Sequence, residues 1–221
     1  MVKFKVLGSS PYIAREGWTP IALIIFCAVV VNYLAGFWWA SPLWLVVLFF
    51  LQFFRDPERK IPQEKYAVVA PAHGRIIGIE QSHDPYLDRN SIKISIFMNV
   101  FSVHSNRTPV GGIVRATWYR PGRFFNAALD KASDRNERNA ICINTAEGHD
   151  VVSVQVAGFV ARRILCYVDE GQEVSRGDRY GFIRFGSRLD VYLPYKSQIE
   201  ARLGQWVDSG SDIIGYLPEN L

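Results

Sequence analysis

The chain has 221 residues, 49% of them hydrophobic and 14% aromatic, with a formal charge of +4. That is enough apolar material for one sizeable packed domain plus an appendage, which excludes a disordered chain. The basic residues are scattered without an aromatic platform, which excludes a nucleic-acid module; their mild surplus suits plain solubility or an anionic lipid surface.

Residues 1–19 form a short segment carrying Lys3, Lys5 and Arg15. From Ile21 to Phe54 no charged residue occurs over about 34 positions. As one straight helix that run is roughly 50 Å long, well beyond a hydrocarbon core of about 30 Å. Gly36 and Pro42 are expected to break it into Ile21–Ala35 and Leu43–Phe54. Each half is short of a full crossing unless Phe37, Trp38 and Trp39 are recruited. The expectation is a membrane-anchoring helical hairpin over 20–54, with one long tilted span as its rival. Arg55, Arg59 and Lys60 follow the run as Lys3, Lys5 and Arg15 precede it, so both ends are expected on the cytoplasmic side.

Residues 55–65 (RDPERKIPQEK) read as a linker, and 66–221 as a second domain. Short strands are expected at Ala67–Ala70, Ile76–Glu80, Ser91–Met98, Gly112–Tyr119, Ala140–Thr145, Asp150–Val156 and Arg163–Val168. Their spacing, punctuated by Pro, Gly, Asn and Asp, predicts a mainly β domain: an antiparallel sandwich or barrel. The polar stretch Asn126–Asn139 is a helix or a long loop. Val168–Ile183 (VDEGQEVSRGDRYGFI) has the turn shape of lipoyl- and biotinyl-type hammerheads but lacks their attachment lysine, so carrier function is not supported.

Arg184-Phe185-Gly186-Ser187-Arg188-Leu189-Asp190 joins two alternating stretches. A Gly-Ser bond is commonly just a turn, but here a small unhindered carbonyl and a hydroxyl sit where two strands meet. A serine hydroxyl is a weak nucleophile and needs a base within reach. Of His73, His83, His104 and His149, the pair His83 and His149 lies in polar, turn-like surroundings and is expected at the surface. His104 ends an apolar strand, and His73 sits in the tight turn Pro71-Ala72-His73-Gly74. Cys27, Cys142 and Cys166 fit no zinc or CxxC spacing and read as idle thiols in a reducing compartment; no metal site is expected.

Taken in order, Phe53-Phe54-Arg55-Asp56-Pro57-Glu58-Arg59, Pro71-Ala72-x-Gly74, Ile96 to Arg107 (IFMNVFSVHSNR), Asn136-Glu137-Arg138-Asn139 and Arg184 to Asp190 make an ordered set. The set resembles the short bacterial form of the phosphatidylserine decarboxylase proenzymes, over about residues 10–205. The resemblance implies that Ser187 attacks the Gly186 carbonyl with His104 as base. It implies a cut giving a larger β chain, 1–186, and a smaller α chain, 187–221, headed by a pyruvoyl group made from Ser187. That group would form a Schiff base with membrane phosphatidylserine, with no metal and no pyridoxal phosphate, on the cytoplasmic face of the inner membrane. Arg55, Arg107, Arg138 and Arg188 are candidate phosphate partners by charge. A homodimer is compatible with such a domain.

One position departs from the pattern. The family's turn is Pro-Ala-Asp-Gly, whose aspartate orients the histidine; this chain has His73 there. A neutral His73 still accepts a hydrogen bond from His104 but brings no negative charge, so the expectation is severely slowed self-cleavage and a chain held as proenzyme. The alternative is a catalytically inactive, membrane-anchored lipid-binding or scaffold protein on the same fold.

Overall fold

The computed structural model describes residues 12–123, 125, 127, 135–158, 163–184 and 186–219. Lys3, Lys5, Phe185 and most of the Asn126–Asn139 stretch lie outside the described residues. The chain divides into two compact units, with the boundary after Glu58.

The first unit is a helical hairpin: α1 (Arg15–Ala35) and α2 (Phe37–Phe53) separated by Gly36, whose φ of +87° suits glycine alone. Its two ends are hydrogen-bonded together, Ala14 N–H to Phe54 O and Asp56 N–H to Tyr12 O, each at 2.7 Å. α1 is long and apolar enough to cross a membrane, while α2 is a shorter apolar helix. Pro42 does not break the run as the sequence suggests; it lies inside α2. A proline there leaves the carbonyl of Trp38 without its N–H donor. The Ser41 hydroxyl donates to that carbonyl at 2.9 Å, which explains how the helix continues.

In the second unit the chain runs through β1 (Ala67–Val69), β2 (Gly74–Asp84), β3 (Arg89–Met98), β4 (Ser105–Arg107), β5 (Gly112–Arg120), β6 (Arg138–Asn144) and β7 (Asp150–Val156). It continues through β8 (Ile164–Cys166), β9 (Glu173–Val174), β10 (Arg179–Ile183), β11 (Ser187–Pro194), β12 (Gln198–Ile199), β13 (Trp206–Val207) and β14 (Ile213–Tyr216). One eight-stranded sheet has the order β13-β2-β3-β11-β7-β6-β5-β9, and two three-stranded sheets have the orders β1-β14-β12 and β4-β10-β8. All the strand pairings among the described residues are antiparallel. The expected β-rich domain is therefore observed.

Side chains alternate across β11, and both of its faces are covered. Leu189, Val191 and Leu193 join the main core with Ile94, Ile96, Ile141 and Ile143. Tyr192 belongs to a second cluster on the other face, with Ala140, Cys142, Val152, Val154 and Val156. The centre of the large sheet is thus dry on both sides, and β11 starts at Ser187 with β3 and β7 as neighbours.

Candidate active site

β10 belongs to a small sheet and β11 to the large one, so residues 184–186 carry the chain from one sheet to the other. Gly186 makes that step with φ +62°, a left-handed conformation disfavoured for any residue with a Cβ. Ser187 stands opposite Met98 at the first rung of the β11–β3 ladder and is fully buried. Its Oγ makes no hydrogen bond among the described residues. Leaving a buried hydroxyl unpaired costs about 1–3 kcal/mol, so its retention calls for a chemical reason. The Gly186 carbonyl is pressed against Gly158, where a Cβ would overlap its oxygen. Nothing in the local sequence singles out Gly158, because its partner is a backbone atom on a remote segment.

His104 is fully buried just ahead of β4. Its carbonyl accepts the Ile183 N–H at 3.3 Å, and its ring lies 6.3 Å from that of Phe182. The β4–β10 pairing therefore ties His104 to the residue from which the Gly186–Ser187 turn departs. A buried amide network runs alongside on the inner face. Asn139 Nδ2 donates to Gln155 Oε1 at 3.2 Å, Gln155 Nε2 to Asn106 Oδ1 at 2.8 Å, and Asn106 Nδ2 meets Met98 Sδ at 3.7 Å. It cross-links β4, β6 and β7 to the residue facing Ser187.

His149, expected at the surface, is instead buried with Nε2 2.8 Å from the Pro218 carbonyl oxygen, while His73 lies in the turn between β1 and β2, as the sequence suggests. Its Nδ1 accepts the backbone N–H of Val103 at 2.9 Å, the residue immediately before His104. An imidazolium has no lone pair to accept with, so this bond belongs to the neutral ring protonated on Nε2. Nε2 is 3.5 Å from Asp208 Oδ1, and Arg59 Nη1 is 3.0 Å from the same oxygen. Trp206 flanks the imidazole, ring centres 5.8 Å apart. The single lone pair that a neutral His73 can offer thus goes to the peptide in front of His104.

The four candidate arginines have separate surroundings. Arg188 is fully buried, its guanidinium paired with Asp190 through Nε at 2.8 Å and Nη2 at 2.9 Å; alternation puts it on the opposite face of β11 from Ser187. Arg107 donates to the Gly177 carbonyl at 3.0 Å. Arg138 starts β6 and lines a hollow of about 410 Å³ with Tyr86, Trp118, Tyr119 and Arg120. Arg55, in the hairpin unit, donates to the Gln52 carbonyl at 2.8 Å. Among the described residues no cluster of three or more His, Cys, Asp or Glu side chains could hold a metal ion.

Comparison with known proteins identifies a family. The family model described as phosphatidylserine decarboxylase matches residues 46–215. A protein of Aromatoleum aromaticum named phosphatidylserine decarboxylase proenzyme is 60% identical over 208 residues, covering 94% of this chain and 97% of that protein. Proteins of the same name from Burkholderia pseudomallei and Burkholderia vietnamiensis are 56% and 54% identical over 209 residues, each covering 95% of this chain, with 97% and 98% of their own lengths matched.

Proposed function

Since this chain belongs to the phosphatidylserine decarboxylase family, we propose that it is a self-processing proenzyme cut between Gly186 and Ser187. The observation that carries the reading is the junction itself. A buried Ser187 hydroxyl without a described partner adjoins a carbonyl held against Gly158, at the bond joining two sheets.

The steps follow from the groups present. Ser187 Oγ adds to the Gly186 carbonyl carbon, the C–N bond breaks, and the acyl group moves to oxygen as an ester. His104 takes the hydroxyl proton and returns it to the freed amine. Removal of the Ser187 α-proton expels the Gly186 carboxylate and leaves dehydroalanine. Water then displaces its nitrogen as ammonia, and a pyruvoyl group heads the 187–221 chain. That group supplies the electron sink for loss of carbon dioxide from phosphatidylserine, which yields phosphatidylethanolamine. The amide network of Asn106, Gln155 and Asn139 ties β4 to β6 and β7 across two sheets beside the reacting serine, which helps hold the hydroxyl in place.

The apolar hairpin over residues 20–54 anchors the protein at the cytoplasmic face of the inner membrane, residues 55–65 link it onward, and 66–221 carry catalysis. Arg138, beside Arg120 and three aromatic rings, is the candidate phosphate partner best placed to meet an anionic headgroup. Electrospray mass spectrometry tests the proposal. The expected result is slow appearance of a pyruvoyl-capped 187–221 fragment with its 1–186 partner, faster with His73→Asp, and for Ser187→Ala a single chain of 25.1 kDa. An unaltered chain that stays whole, and acquires no carbonyl reducible by borohydride even with His73→Asp, refutes it.

A further inference from the structure

Asp208 lies in the turn between β13 and β14, remote in sequence from every candidate residue. Its backbone shapes that turn: its N–H donates to Asp212 Oδ2 at 2.7 Å, and its carbonyl accepts the N–H groups of Ser211 and Asp212 at 3.2 Å. None of these bonds uses the Asp208 carboxylate. One carboxylate oxygen instead stands 3.5 Å from His73 Nε2 and 3.0 Å from Arg59 Nη1. His73 in turn accepts the Val103 N–H on its other nitrogen.

We propose that Asp208 is a positioning residue for the self-cleavage: it fixes the Nε2–H tautomer of His73, and through it the backbone that presents His104. A carboxylate only accepts, so it selects the ring form whose proton points toward it. That form alone leaves Nδ1 free to receive the Val103 N–H. The other tautomer sets two N–H groups against each other, which would push away the peptide preceding His104. Arg59 holds the carboxylate in place. The chain thus meets the need for a fixed base with an aspartate and a histidine in series. The proposal rests on the self-cleavage reading above, and it treats position 73 as acting on the main chain before His104.

The test is a pair of substitutions read in two backgrounds. Asp208→Ala keeps the backbone bonds of the turn and removes the acceptor. In the unaltered chain it slows appearance of the 187–221 fragment about tenfold or more, while Asp208→Asn, which retains an acceptor oxygen, restores part of the rate. In a His73→Asp chain the residue at 73 is itself acceptor-only and needs no tautomer control. There Asp208→Ala speeds cleavage, because it removes one carboxylate facing another. Equal slowing in both backgrounds, or none in either, overturns the proposal. A second measurement is independent of cleavage: in a Ser187→Ala chain, imidazole nitrogen shifts report His73 as the Nε2–H form, and adding Asp208→Ala mixes the tautomers. Unchanged shifts also overturn it. Tautomer mixing in a protein that never cuts itself leaves the Asp208–His73 coupling standing and removes the self-cleavage reading instead.

Discussion

The carbonyl oxygen of Gly186 occupies the space that a β-carbon on Gly158 would need. Residue 158 directly follows Ala157, whose N–H donates to the Glu137 carbonyl at 2.9 Å and whose own carbonyl accepts from Asn136 Nδ2 at 2.7 Å. The segment carrying Gly158 is therefore fastened to the residues just ahead of β6 and cannot easily retreat. Gly158→Ala is expected to displace the peptide at the cut and slow processing by two orders of magnitude or more, as misplacement of about 1 Å does in well-ordered sites. Gly186→Ala meets no neighbour and bears only the left-handed φ, at about 1–2 kcal/mol. Following both variants on a denaturing gel, with thermal unfolding alongside, separates obstruction from backbone strain.

The Arg188–Asp190 ion pair is buried on the outer face of β11, with one hydrogen bond from Nη2 and a second charged contact at Nε. Asp190→Ala strands a guanidinium in the dry second cluster and is expected to destabilise the fold by about 3–5 kcal/mol. Arg188→Met with Asp190→Leu removes both charges together and is expected to cost far less, which denaturant titration of the two variants resolves.

Much of this was legible in the sequence, for an identifiable reason. The expected strands Ala140–Thr145 and Asp150–Val156 lie over the observed β6 and β7, because apolar residues on adjacent positions mark strands covered on both faces. The helical break at Gly36 was legible from composition, whereas the tolerance of Pro42 was not, since it depends on a hydroxyl one residue away turning back onto Trp38. β4 escaped notice because three buried polar residues, Ser105, Asn106 and Arg107, carry no alternation. Gly158 and Asp208 were invisible for another reason: each acts on a partner far along the chain, Gly186 and His73. Pattern within a window cannot report such pairs.

Cys142 is fully buried among Val152, Val154 and Tyr192, and burial pushes its thiol up to about 12. At pH 8 its thiolate fraction is about a thousandfold below that of an ordinary exposed cysteine. Iodoacetamide is expected to leave Cys142 unmodified in the folded protein and to label it in denaturant, read by peptide mass mapping. The folded chain keeps this proton while the unfolded chain sheds it, so this group's contribution to stability falls as pH climbs from 9.0 to about 12.

In α2, Ser41→Ala withdraws the hydroxyl that satisfies the Trp38 carbonyl beside Pro42. The expected outcome is a local loss of about 1 kcal/mol, seen as faster amide exchange around Trp38 in detergent or bilayer and little change in Ser41→Thr.

The strand headed by Ser187 runs between β3 and β7 in the middle of the large sheet, and the residues after it supply β12, β13 and β14 to two different sheets. The proposed scission at its first residue would therefore sever the chain at a keystone yet free nothing, since the shorter piece would remain zipped on both flanks. The order of events has only one direction: folding must come first, because the geometry for the cut exists only once those ladders have closed. Unfolding a protein cut there would then yield two strangers that must find each other by diffusion. The mature enzyme is expected to refold poorly on dilution, where its uncut precursor, still a single thread, recovers.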